Sequence, residues 1–566
     1  MVRGASLMMR IGSLIPLINK LAATFLLLML VACQHKQTNG ESSVQVAANS
    51  TSDSAATITP TLPQFDSQAT NLPPLAAKLS YQSPPAPLSH KLNDASYQHL
   101  WSLSQFPLST HRFSLVGISQ TRAIANPDIL LKAFELYAQQ LALIEQAALR
   151  ELAVVNAKPE QITRCLNSIS FSATLHRIVI SMHCEASYET KLKLAKQLWQ
   201  QLANLQTKTK AGDKITGINL DLLKRKLKLD SHIGAFTGSE INLAYRKRLL
   251  GISHPYASEV NNQQAIDSLT IESLTELFAS TYQSLQWHVF STAGLKEPTR
   301  DVQFLNTQSV VRHAQTKKQA NRSADTQNLT LKPIAIIDKP GTVQTQLRIG
   351  YLFANSVTDA RYNRLACESL AALLGRSYSG RLFYDLRETR GLTYGVYAYC
   401  VDAPLGQYLT IYGSTDKADT TQFVSGILQH VALLQRQSPQ DAELKALKDY
   451  LLGKQQLRHD SQRAVENSFL TPWIMGQVAQ GTELQDRDQA FYDALEQLSA
   501  DELSRFAQLY LTNPVIVLRG DKDDIAKPLV KGLEALANSG VLDNKLSADK
   551  VLEVERNNWK IEEIKP

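Results

Sequence analysis

Chemistry in this 566-residue chain must come from side chains that can ligate a metal, attack as a nucleophile or polarise a carbonyl. Twelve histidines and five cysteines are the first to weigh. The cysteines Cys33, Cys165, Cys184, Cys367 and Cys400 form no Cys-x-x-Cys pair, so neither a zinc ribbon nor a thioredoxin-type site is encoded. No Gly-x-Ser-x-Gly elbow occurs, which removes hydrolase-type serine chemistry. Gly453-Lys454 is followed by Gln455 where a phosphate-binding loop needs Ser or Thr. Arg519-Gly520-Asp521 closes an apolar run and reads as the end of a core strand rather than an adhesion tripeptide. Cys165 and Cys184 flank an expected hairpin, which leaves a disulfide open in an oxidising compartment. Cys367 and Cys400, in helix-like and strand-like segments, read equally well as buried free thiols.

The elements that position such residues begin after a targeting segment. Arg3, Arg10 and Lys20 precede the apolar run Leu21 to Ala32, too short to span a bilayer but suited to the core of a secretory signal. The run ends Leu30-Val31-Ala32-Cys33, which resembles the bacterial lipobox, with Cys33 the lipidated mature N-terminus. Gln34 rather than Asp follows it, so the expected location is the outer membrane, facing the periplasm. Residues 34–95 are rich in Ser, Thr, Gln and Pro and read as a tether with too little apolar surface to fold alone. The net charge of +7 is mild for this length. Lys224-Arg225-Lys226 and Arg246-Lys247-Arg248 are isolated clusters that read as solvated helix faces, and no nucleic-acid partner is expected.

A polar stretch, residues 312–330, divides the remainder into residues 96–311 and 331–540, with a tail at 541–566. The two parts end alike. Leu269-Thr270-Ile271-Glu272-Ser273-Leu274 leads to a helix through Phe278 and Tyr282, a strand from Trp287 and Gly294. Leu498-Ser499-Ala500-Asp501-Glu502-Leu503 leads to a helix through Phe506 and Tyr510, a strand from Val515 and Gly520. Ser499 with Glu502 spells a capping box, and Thr270 holds the matching position. Such a pairing indicates duplication of one domain. In the first part a largely buried helix is expected over Ile129–Leu152, strands over Cys165–Leu175 and Arg177–Glu185, and a helix over Tyr188–Leu205. In the second, strands are expected over Val343–Phe353, Tyr394–Cys400 and Gln407–Gly413. Helices are expected over Asp359–Leu374, Thr421–Gln435 and Pro439–His459. Long helices interleaved with antiparallel-type strands give an α+β class.

The run Gly380-Arg381-Leu382-Phe383-Tyr384-Asp385-Leu386-Arg387-Glu388-Thr389-Arg390-Gly391-Leu392-Thr393-Tyr394 resembles the C-terminal-half motif of the pitrilysin/insulinase metallopeptidase family. Asp338-Lys339-Pro340-Gly341-Thr342-Val343-Gln344 before it, and Asp441-Ala442-Glu443-Leu444 and Gly520-Asp521 after it, are similar too. The first half resembles the family more faintly, through His254-Pro255-Tyr256 and the pattern from Leu269 to Gly294. The resemblance implies two homologous metallopeptidase-like (LuxS-like) αβ sandwich domains forming half of a clamshell. It also implies catalytic roles for Arg387 and Tyr394. A guanidinium can grip a carbonyl or carboxylate through paired hydrogen bonds. A tyrosine phenol, ordinarily with a pKa near 10, stays a neutral donor able to stabilise a developing oxyanion.

The family's other half carries His-x-x-Glu-His, whose histidines and a later glutamate bind zinc. This chain contains no Glu-His dipeptide at all. The helix equivalent by order, Ile129–Leu152, has Glu135 and Glu145 but no histidine, and Asn219–Asp230 offers Asp221 and Asp230 but no glutamate. His176 and His183 fall on the hairpin, with the wrong spacing to rebuild the site. No metal or other cofactor is therefore expected in this chain. The resemblance implies zinc in a partner subunit, a related exported peptidase bearing the metal motif, with peptides as the shared substrate. A non-catalytic peptide-binding or scaffold lipoprotein is the alternative, and a structural relic in which Arg387 and Tyr394 merely pack is a third.

Overall fold

The computed structural model describes residues 59–65, 88–91, 99–102, 112–119, 123–124, 126–138, 158–208, 218–257, 263–292, 334–353, 360–376, 379–456, 461–475, 487–540 and 562–564. Cys33, Glu145 and the polar stretch 312–330 lie outside them.

The first half runs β1 (Leu88–Lys91), β2 (His99–Ser102), β3 (Arg112–Ile118), α1 (Pro127–Ala138), α2 (Pro159–Asn167), β4 (Ser170–Ala173) and β5 (Arg177–His183). It continues α3 (Tyr188–Lys208), α4 (Leu220–Thr237), α5 (Glu240–Leu250), α6 (Gln263–Asp267), α7 (Ile271–Ser284) and β6 (Gln286–Ser291). The second half runs β7 (Ile334–Asp338), β8 (Gln344–Leu352), α8 (Ala360–Gly375), the π-helix Phe383–Thr389, β9 (Thr393–Ala403) and β10 (Gly406–Asp416). Then come α9 (Thr420–Arg436), α10 (Asp441–Gln456), α11 (Gln462–Ile474), α12 (Arg487–Gln497), α13 (Ala500–Tyr510), β11 (Val515–Gly520), α14 (Lys522–Asn538) and β12 (Glu562–Ile564).

Two mixed six-stranded sheets result, ordered β1-β2-β6-β3-β5-β4 and β12-β7-β11-β8-β10-β9. Apart from the outermost β1 and β12 the orders superpose strand for strand. β2/β6 and β7/β11 are parallel, and the three following pairs in each sheet are antiparallel. The sequence repeat falls at equivalent places in this plan. Thr270 with Ser273 and Ser499 with Glu502 each close a capping box at the start of the helix leading to the parallel strand. An N-terminal backbone donor left bare by the helix is satisfied in each case.

Three departures from the sequence reading have simple causes. Cys165 lies in helix α2, not a strand: Pro159 stands at its first turn, and Ile162, Cys165 and Leu166 form a buried face at three- and four-residue spacing. Leu88–Lys91, assigned to the tether, pairs with β2, and Glu562–Ile564 of the tail pairs with β7. The Arg246-Lys247-Arg248 cluster is not a solvated face, because Arg248 is buried where α5 packs. Both cysteine pairs are joined: Cys165–Cys184, and Cys367–Cys400, which ties α8 to β9.

Each sheet packs its own helices on one face. The other face receives a helix from the opposite half. From the first half, α5 lays Ile241, Ala244, Tyr245 and Leu249 on Ile337, Tyr408, Val515 and Val517. The Tyr245 hydroxyl meets Thr410 Oγ1 at 2.8 Å. In return α11 lays Val465, Phe469, Leu470 and Trp473 on Trp101, Val116, Ile118 and Phe290. Trp101 stacks between Phe290 and Phe469. Burying each such large side chain is worth roughly 1.5–3 kcal/mol. Buried Glu466 of α11 accepts from Ser114 at 2.9 Å and pairs with Arg112. A second seam joins His254-Pro255-Tyr256 to the β9–β10 turn. The His254 Nε2–H donates to the Leu405 carbonyl (2.9 Å), and the Tyr256 hydroxyl accepts from the Leu405 N–H (3.2 Å) and meets His176 Nε2 (2.7 Å).

Candidate functional site

The segment bearing Arg387 and Tyr394 is pinned before it reaches them. Helix α8 ends at Gly375, where a side chain would collide with the Ala398 backbone of β9. After it, Arg381 makes two 2.8 Å hydrogen bonds to the carboxylate of Glu443 on α10, both side chains buried. The chain then winds as a π-helix over Phe383–Thr389. Its widened turn is closed by Arg390 N–H to Asp385 carbonyl (2.9 Å) and Thr389 Oγ1 to Tyr384 carbonyl (3.0 Å). Such turns occur mostly singly and frequently at functional sites. Gly391 ends it at φ 66°, a left-handed position that glycine adopts without steric cost.

Asp385 points from this turn into the core. It is fully buried and accepts from Arg390 Nε (3.0 Å), Arg390 Nη2 (2.7 Å) and His430 Nε2 (2.8 Å). Burial alone would raise its pKa; the His430 hydrogen bond and the Arg390 charge outweigh that and hold it below the usual carboxylate range. Burial lowers the pKa of His430 despite Asp385, and its Nδ1 has no hydrogen-bond partner.

With Asp385 inward, Arg387 emerges on the outer side of the turn, about one-third exposed. Its guanidinium carbon stands 4.5 Å from the ring centroid of buried Phe383 and 5.4 Å from that of Tyr394. Glu388 flanks it at 3.5 Å. Tyr394 is 89% exposed. Its position comes from a β-bulge: Gly395 pairs with Ser414 and Thr393 with Thr415, leaving Tyr394 as the extra residue. By alternation Tyr394 belongs with core-facing Val396, Ala398 and Cys400; the bulge re-aims it outward beside Arg387. Thr393, buried, fixes the bulge through its hydroxyl, which meets the Gly395 N–H and the Ser414 carbonyl. Farther along β9, Tyr397 and Tyr399 are exposed and contact Tyr412, over which Arg348 lies at 5.4 Å.

Among the described residues of the first half, no group of side chains forms a metal cage. Helices α1 and α4 do bring carboxylates together, but around an ammonium: Lys132 Nζ stands 3.1 Å from Glu135 and 2.9 Å from Asp230. The Asp230 hydrogen bond is the main cause of the raised Lys132 pKa. Asp128 sits beside them, its pKa raised by burial and then by Asp230. Asp221 and His183 are exposed, and His176 is spent on Tyr256. No group of three His, Cys, Asp or Glu able to hold a metal occurs among the described residues. Zinc does not fit this set: nitrogen ligands are missing and a cation already fills the space between the carboxylates.

Residues 268–451 match the family described as Peptidase M16 inactive domain. That segment is similar to a peptidase M16 (pitrilysin/insulinase) domain of the inactive type. A curated relative, the uncharacterized zinc protease YmxG of Bacillus subtilis (strain 168), is 32% identical over 123 residues, 22% of this chain and 29% of the relative. The chain thus aligns with less than a third of that protein's length. The M16 inactive domain of Pseudomonas fluorescens superposes with TM-score 0.56 at 16% identity, covering 77% of this chain and 98% of that one. The first half of the periplasmic protease PqqL from Escherichia coli gives TM-score 0.56 at 11% identity, covering 82% and 98%. These likenesses establish an α+β M16-type fold. The family resemblance singled out Arg387 and Tyr394; the Asp385–His430 contact, the bulge at Tyr394 and the Lys132 ion pairs have no signature in spacing.

Proposed function

We propose that this chain is the zinc-free, Arg/Tyr-donating subunit of a composite M16-type peptidase. A related subunit bearing the zinc motif would complete the clamshell. The observation that carries this reading is the pairing of Arg387 with an outward-turned Tyr394; in the first half, the carboxylates Glu135 and Asp230 are paired with Lys132. Arg387 can hold a substrate carbonyl or carboxylate through its fork of N–H donors. Tyr394 can donate its hydroxyl to the oxygen that becomes negative as the amide is attacked. Zinc in the partner supplies the activated water. The exposed Tyr397 and Tyr399 extend the surface available to a peptide from Tyr394 along β9. Anchoring through Cys33 would place the assembly at the outer membrane, facing the periplasm.

The test is peptide cleavage by this chain alone, by an exported zinc-motif sibling alone, and by both. Activity only in the mixture is the expected result. Cleavage by the sibling alone at the rate of the mixture would refute it. A second reading, a peptide-holding scaffold without turnover, is favoured by the inactive-type domain match. It predicts peptide binding by this chain with no cleavage in any arm.

A further inference from the structure

One short piece of the tether is part of the folded body. Residues 59–65 read Thr59-Pro60-Thr61-Leu62-Pro63-Gln64-Phe65 and belong to no helix or strand. From Pro60 onward their exposure repeats every three residues. Thr59, Thr61 and Gln64 are exposed, Pro60, Leu62 and Phe65 are half-buried, and Pro63 is buried. A polyproline II helix has three residues per turn, so residues i and i+3 share a column. The column of Thr61 and Gln64 faces water, and the other two are covered from Pro60 onward, with only the leading Thr59 exposed. Pro-x-x-Pro segments dock in this way in aromatic-lined grooves, their pre-set backbone losing little freedom on binding.

The receiving surface contains an unusual arginine. Arg376, just after α8, is 3% exposed. Its Nε is satisfied by the Ser379 carbonyl and hydroxyl, but Nη1 and Nη2 are buried without a hydrogen-bond partner. The nearby carboxylate, Glu443, is already held at both oxygens by Arg381. Two buried guanidinium groups therefore share one carboxylate. The ring of Phe65 lies 5.8 Å from the Arg376 guanidinium carbon, within cation–π range, and presents a π face to the cation that Glu443 leaves uncompensated. Tyr450 of α10 also faces Arg376.

We propose that the surface around Arg376 and Tyr450 is a docking site for a Pro-x-x-Pro-x-aromatic segment, occupied in cis by residues 59–65. The tether is thereby fastened to the second half, eleven positions before Arg387 in sequence. The stretch left between Cys33 and the body is then residues 34–58, which can span at most roughly 90 Å. Unfastened, residues 34–87 would precede the first strand and could span at most roughly 190 Å.

Chymotryptic cleavage after Phe65 in the full chain tests this. Cleavage should be slow in the native protein. It should accelerate at least tenfold in Arg376→Ala and in the double variant Pro60→Ser/Pro63→Ser. The double variant leaves every residue of the second half unchanged, so it remains informative if Arg376→Ala disturbs folding. Equal cleavage rates in native and double-variant protein would overturn the proposal. Protection that disappears on dilution would place the segment on a second copy and overturn the cis assignment.

Discussion

The guanidinium of Arg387 faces the ring of Tyr394 at 5.4 Å although the two residues leave the backbone from different elements, a π-helix and a β-bulge. Neither side chain fills the core, so their removal should separate chemistry from folding. Tyr394→Phe and Arg387→Ala should leave thermal stability within about 0.5 kcal/mol of native, as expected for surface positions. In the composite assay each should lower kcat by roughly 100- to 1,000-fold, the usual loss when a donor to a developing oxyanion is removed. Unchanged rates, with the complex still assembled, would defeat the assignment.

Asp385 supports that pair from below. In Asp385→Asn, the partly buried guanidinium of Arg390 loses its counter-charge and buried His430 its ionic acceptor. Breaking a buried pair from one side costs roughly 3–5 kcal/mol. Urea denaturation should show a loss of that order, and an indistinguishable midpoint would mean the network carries no net stability.

The seam between the halves should respond to acid. Burial is the first cause of the lowered pKa values of His176 and His254. The unfolded chain, with histidine near 6.5, then takes up protons before the folded one as pH falls. Stability is complete above the unfolded value and lost as pH drops toward the lower, folded values. His430, also lowered by burial, contributes with the same sign. Urea midpoints should fall between pH 7.5 and 5.5, and His254→Gln should flatten part of that slope. A midpoint rising on acidification would contradict the sign.

Metal analysis of the isolated chain should find no stoichiometric zinc, and a chelator should not move its unfolding temperature. Lys132 between Glu135 and Asp230 is the reason. One tightly bound zinc per chain, lost in Glu135→Gln, would show that the ammonium gives way to metal.

Much of this was readable from residues alone, because the signals were local or periodic. The helix over Asp359–Leu374 emerges as Ala360–Gly375 and the strand over Val343–Phe353 as Gln344–Leu352. Both capping positions are occupied as their residue types require. What escaped depends on contacts distant in sequence. Tyr394 shares parity with Val396, so alternation assigns it to the core, and only a one-residue bulge reverses that. Asp385 and His430 are 45 positions apart, with no periodicity to link them. Cys165 was misplaced because nine residues give a short helix too little pattern to outweigh a neighbouring strand. Residues 59–65 have the composition of a linker, yet Phe65 meets Arg376, more than 300 positions away.

The traded helices α5 and α11 leave the two halves no freedom to part. Pulling one away would strip Phe469 and Trp473 from beneath one sheet and Ile241 and Tyr245 from the other in a single event. A protein so interlocked should melt as one cooperative block, and neither half should survive expression by itself. In the composite assembly proposed above, admission of a bulky guest would then come from motion against the partner subunit, with this polypeptide as the stiff jaw.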